Sequence, residues 1–80
     1  MSARATLPGC LSGLMRSELE RTICESAFSK DDALIAQRYL VEKVAQIDIA
    51  AELGWERATV SRHLKYIVPA VERVAHKIYA

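Results

Sequence analysis

The sequence predicts an all-α protein, a single small domain of four to five helices. Three observations point there. Apolar residues recur at intervals of three and four along most of the chain, which is the spacing of one helix face. Gly and Pro are scarce, with three and two copies in 80 residues, so few positions break a helical ladder. Alternating, β-branched runs that would form strands are nearly absent. At 51% hydrophobic and 26% charged, the chain has the composition of a compact domain rather than a disordered tail. Its length places it near the lower end of what folds without staples, so its core is modest.

Residues 1–10 contain Pro8 and Gly9 and show no periodicity, which predicts a flexible N-terminal arm. From Leu11 the residues Leu11, Met15, Leu19, Ile23 and Ala27 recur every fourth position, with Leu14 beside them, and predict a first amphipathic helix. Ser17 followed by Glu20 reads as a capping box, so this helix starts at 12 or only at 18. Ser29 followed by Asp31 and Asp32 is a second start signal, a hydroxyl cap with acids in the first turn where the helix dipole favours them. The second helix is predicted over 30–43, with Ala33, Ala36, Leu40 and Val44 inward, Tyr39 at its flank and Lys43 at its end. A third, short helix fits 46–53 with Ile49, Ala50 and Leu53 inward. A fourth fits 57–67, where Val60, Leu64, Ile67 and Val68 make one face. Pro69 cannot continue a hydrogen-bond ladder but suits a first helical turn, so a fifth helix is expected to begin near it, with Val71, Val74, Ala75 and Ile78 inward. No repeat, low-complexity tract or linker separates these elements, so 11–80 reads as one domain around one core.

The remaining composition narrows the function. Cys10 and Cys24 form no CxxC pair, and with His63 and His76 they match no zinc-ligand spacing, so neither a metal nor another cofactor is expected. Two scattered cysteines without a secretion signal fit a reduced, cytoplasmic chain, and Cys24 beside Ile23 reads as core filler. LPGC at 7–10 looks like a lipoprotein cleavage site, yet no apolar run precedes it. No segment approaches the roughly 20 apolar residues that span a bilayer, so no membrane partner is expected. Asp31 and Asp32 are adjacent on a helix and point apart, which disfavours a general acid/base pair; with no nucleophile, phosphate loop or metal cluster, the chain does not read as an enzyme. The net charge of +1 is uninformative, but its distribution is not. Residues 1–56 hold six Lys/Arg and nine Asp/Glu, giving −3, whereas 57–80 hold five Lys/Arg and one acid, giving +4.

The basic half begins inside IAAELGWERATVSRHL, residues 49–64. A helix ending at Leu53 needs a residue tolerant of positive φ to turn sharply, and Gly54 is that residue. If the next helix crosses back over the first, the closest approach needs a small side chain on one and a stiff apolar one on the other. Ala50 and Val60 supply them, and Ile49, Leu53, Trp55 and Leu64 close the same pocket. This is a helix-turn-helix, whose second helix can enter the DNA major groove. With Val60 and Leu64 buried, Arg57, Ala58, Ser61, Arg62 and Lys65 are left to face base edges. Arg57 and Arg62 are the foremost of these, since a guanidinium pairs two-pronged with guanine O6 and N7 for roughly 1–3 kcal/mol of discrimination. Gln46, Thr59 and Tyr66, with Lys65 again, are placed for phosphate. His63 next to Leu64 reads as a partly buried packing residue, and Trp55 and Tyr39 read as core.

IAAELGWERATVSRHLK resembles the DNA-binding unit of many bacterial regulators. Extended upstream through DDALIAQRYLVEKVAQ, the chain resembles region four of bacterial sigma factors and the sigma-like small proteins of phages and mobile elements. The likeness covers about residues 30–68 and rests on Ile49, Ala50, Leu53, Gly54, Val60 and Leu64. It implies a transcriptional regulator whose partners are double-stranded DNA and RNA polymerase. Three departures stand out. Glu56 occupies the place of the usual Ser or Thr before the recognition helix, Trp55 replaces a smaller aliphatic residue, and a promoter-melting region does not fit in 80 residues. The alternative reading is a protein-interaction module of the same fold, docking on RNA polymerase or another regulator. Because a monomer this small makes few phosphate contacts, a homodimer through Val71, Val74, Ile78 and Tyr79 is also expected, the first helix being a second candidate surface.

Overall fold

A computed structural model describes residue 11 and residues 13–79. The predicted arm over 1–10, and Cys10 with it, lies outside the described residues. The rest forms four helices in the order α1 (Arg16–Glu25), α2 (Lys30–Ala36, running on through a wider turn at Gln37–Val41), α3 (Gln46–Leu53) and α4 (Arg57–Tyr79). The fold class is the expected one: an all-α domain with one core, and no strand among the described residues.

The first helix corrects the sequence reading of its start. It begins at Arg16, neither 12 nor 18, because Glu18 rather than Glu20 supplies the cap: its Oε1 accepts the Met15 backbone N–H at 2.8 Å. Leu11, Leu19 and Ile23 are buried as the fourfold spacing predicts, but the stripe fails at Met15 and Ala27. Met15, outside the helix, is 69% exposed, and Ala27 lies beyond the C-terminus with φ 55°. Cys24 is exposed and is not core filler. The inward place next to Ile23 belongs to Thr22, whose hydroxyl is satisfied within the helix by donating to the Glu18 carbonyl at 2.7 Å.

α2 opens as predicted, with Ser29 Oγ accepting from the Asp32 N–H at 3.4 Å and both acids in the first turn. Its inward face is Ile35, Ala36 and Leu40; Ala33 and Val44, expected inward, are only half-buried. The helix ends at Val41 rather than 43, because its last turn widens. The Glu42 N–H reaches back five residues to the Gln37 carbonyl at 3.1 Å, and Val44 closes on the Arg38 carbonyl at 2.8 Å, while Lys43 takes φ 56°. From this turn the Arg38 guanidinium forks onto both Glu52 oxygens of α3 and also reaches Glu42 at 2.7 Å. The hydrogen bonds to Arg38 hold the Glu52 carboxyl below its usual range, and the two carboxylates together raise Arg38.

The largest correction concerns Pro69. The fourth and fifth helices predicted over 57–67 and from 69 are one continuous helix, α4, of 23 residues with Pro69 inside it. Two features account for this. Pro69 is on the solvent side, so the Lys65 carbonyl that loses its N–H partner is left toward water. Meanwhile Val60, Leu64, Ile67, Val71 and Ala75 form one buried face across the proline, so packing holds the ladder together on the core side. At 1.5 Å per residue the helix is roughly 34 Å long, matching the molecule's longest dimension, and it packs against α1, α2 and α3. Among the described residues no helix is long and apolar enough to cross a membrane.

Candidate nucleic-acid interface

The bend at 54 forms as the residues dictate. Gly54 sits at φ 71°, ψ 28°, the left-handed region that costs an L side chain about 1–2 kcal/mol. The Trp55 N–H bonds to the Ala50 carbonyl at 2.8 Å and the Gly54 N–H to the Ala51 carbonyl at 3.3 Å, the paired bonds of a Schellman end. Among the described residues no side chain caps the start of α4. The Glu56 carbonyl, not its carboxylate, receives the N–H groups of Thr59 and Val60 at 3.0 and 3.3 Å. Ile49, Ala50, Val60 and Leu64 are all buried in the core, and Leu53 and Trp55 pack against it half-buried. A short helix and the start of a long one therefore meet at a tight bend, and one face of the later helix is open.

On that open face Arg57, Ala58, Arg62 and Lys65 are exposed and Ser61 and Thr59 half-buried. Arg57, Arg62 and Lys65 make no ion pair among the described residues. Arg62 is steadied by its own helix, its Nη2 donating to Thr59 Oγ1 at 3.3 Å. Thr59 is thereby an anchor for Arg62, whatever else it touches. Gln46 stands half-buried at the first residue of α3.

Tyr66 has an engagement that periodicity does not reveal. Its hydroxyl donates to Asp32 Oδ2 at 2.6 Å, and Asp32 Oδ1 lies 2.7 Å from His63 Nδ1. Asp32, nearly buried in the first turn of α2, thus holds two side chains one turn apart on α4. The Tyr66 ring stays exposed, but the hydroxyl bonded to Asp32 has its pKa pushed up to about 12, chiefly by that hydrogen bond and then by desolvation. His63 is half-buried as expected, and its ring lies between Trp55, at 5.0 Å, and Tyr66, at 5.4 Å. The sequence carries no signal for this cluster: Asp32 precedes His63 and Tyr66 by 31 and 34 residues. Asp32 reads locally as a helix-start acid, which it also is.

The expected dimer surface needs one correction. Val71 is fully buried in this domain's own core and is not available to a second copy, while Val74, Ile78 and Tyr79 remain half-buried at the end of α4. No group of three or more potential metal ligands occurs among the described residues. Compared with protein-family models, curated proteins and solved structures, the chain finds no match.

Proposed function

We propose that the chain is a DNA-binding transcriptional regulator that presents the N-terminal part of α4 to the major groove. Arg57 and Arg62 read base edges, with Ala58, Ser61 and Lys65 beside them, and Thr59 and Gln46 lie toward phosphate, whereas the Tyr66 hydroxyl, expected there too, donates its one O–H to Asp32. The observation that carries this reading is the helix-turn-helix bend at Gly54 followed by exposed cations on the outer side of α4 that pair with no acid among the described residues. Exposed cations on one helix face match a polyanion, and an α-helix is an element that fits a groove about 12 Å wide. The reading also agrees with the resemblance to sigma region four. RNA polymerase, a second copy of the chain and a cytoplasmic location belong to the same proposal.

Glu56 favours a second reading. Its carboxylate is exposed at the leading end of α4, where it adds negative charge next to any phosphate the helix approaches. On that reading the same surface docks on RNA polymerase or another regulator. Fluorescence anisotropy with labelled duplexes over a salt series separates the two. DNA binding predicts an affinity that falls with salt, and a combined Arg57→Ala, Arg62→Ala, Lys65→Ala variant lowers the logarithmic slope by roughly 2–3, at about 0.9 per cation. A slope that is absent, or indifferent to losing all three, refutes the DNA reading and leaves protein docking.

A further inference from the structure

The unbroken course of α4 has a result that a helix ending at residue 67 would not. Arg62, Pro69, Arg73 and Lys77 fall on one outward stripe, because eleven residues of α-helix return to within about 20° of the starting azimuth and fifteen to within about 60°. Arg73 and Lys77 are exposed, make no ion pair among the described residues, and with Pro69, Glu72 and His76 line a shallow depression on the outer side of the helix. At 1.5 Å per residue, Arg73 lies roughly 16 Å and Lys77 roughly 22 Å beyond Arg62 along the axis.

We infer that Arg73 and Lys77 form a second contact with duplex DNA, on the phosphate backbone and not on bases. The inference rests on the DNA-binding reading of residues 57–65 and extends it. A continuous helix with Arg62 over the floor of a major groove about 12 Å wide passes the groove wall before it reaches Arg73. What lies there is a phosphate row. Its charge is opposite to that of Arg73 and Lys77. The first cluster therefore reads sequence while the second adds sequence-independent affinity and fixes the tilt of the helix, a division that phosphate and base contacts show generally. It also adds counterion release to each copy of a domain this small.

The full chain is titrated into random-sequence and into selected duplexes by anisotropy between 50 and 200 mM salt. The variant Arg73→Ala/Lys77→Ala is expected to lower the salt slope by about 1.8, a loss of roughly 12-fold in salt sensitivity over that range, by the same factor on every duplex. Arg73→Gln/Lys77→Gln, which keeps the aliphatic stems, gives the same loss should the alanine pair melt early, and Arg73→Lys/Lys77→Arg keeps the wild-type slope. An unchanged slope in folded Gln or Ala variants, with the slope still lowered by removing Arg57, Arg62 and Lys65, overturns the second contact alone. Absence of salt-dependent binding in the wild type overturns both readings. A loss confined to one DNA sequence also refutes a backbone contact.

Discussion

Replacing Gly54 by Ala isolates the conformational cost of the bend. A Cβ built on Gly54 meets nothing within 4 Å, so the substitution adds no clash, and both backbone N–H bonds of the turn persist because alanine keeps its amide. What remains is the price of an L side chain at φ 71°, about 1–2 kcal/mol, less the few tenths to 1 kcal/mol by which alanine restricts the unfolded chain. The expected net loss is about 1 kcal/mol. In a domain of 80 residues, with a total stability of roughly 4–12 kcal/mol, that lowers Tm by about 4–8 °C. Gly54→Asn, whose short polar side chain tolerates the same region, should lose less than the alanine variant, and Gly54→Val distinctly more. Urea melts followed by circular dichroism at 222 nm give the three values, with an unchanged m showing that only stability moved. The reasoning fails if Ala costs more than about 3 kcal/mol, which requires a collision the structure does not contain. It fails equally if Ala, Asn and Val are indistinguishable from Gly, since residue 54 would then not occupy the left-handed region.

Pro69→Ala restores the donor missing from the middle of α4 and is expected to stabilise the protein by up to about 3 kcal/mol in the same melts; a neutral or destabilising result would mean that the ladder is interrupted there. The raised Tyr66 pKa implies a pH effect of defined sign. The protonated phenol is favoured by the fold, so its contribution is complete below the ordinary value of 10 and disappears as pH rises through about 12. In a Tyr39→Phe/Tyr79→Phe background, ultraviolet titration should show Tyr66 ionising near 12, and Asp32→Asn should bring it down toward 10; a midpoint near 10 with Asp32 intact contradicts the hydrogen bond.

What could be read from the sequence was what local chemistry decides. Ser29 with Asp31 and Asp32 marks the start of α2 because a hydroxyl cap and the helix dipole act within one turn. Gln46–Leu53 and the bend after it are visible because only glycine enters the left-handed region freely, and Ala50 and Val60 are buried where their sizes suggested. Sequence and structure diverge wherever a distant partner outweighs a local preference. Pro69 reads as a boundary by itself, yet Ile67, Val71 and Ala75 commit their turns to one core and carry the helix across it. Ala33 lies on as regular a stripe with Ala36 and Leu40 as Ile35 does, and only packing chooses Ile35 over Ala33. The widened turn at Gln37–Val41 has no composition of its own. Of the candidate interface, the exposed positions Arg57, Ala58, Arg62 and Lys65 were legible from the burial of Val60 and Leu64, whereas the engagement of Tyr66 with Asp32 depends on how α2 meets α4.

That engagement has a mechanical meaning. Asp32 grips α4 at two points one turn apart, His63 and Tyr66, and a rod held at two points cannot roll about its long axis. The buried face from Val60 to Ala75 sets the compass bearing of the arginines, and a carboxylate far upstream in the chain pins the N-terminal turns to it. Losing that carboxylate would leave every cation present and charged but less firmly aimed, a defect of orientation rather than of composition.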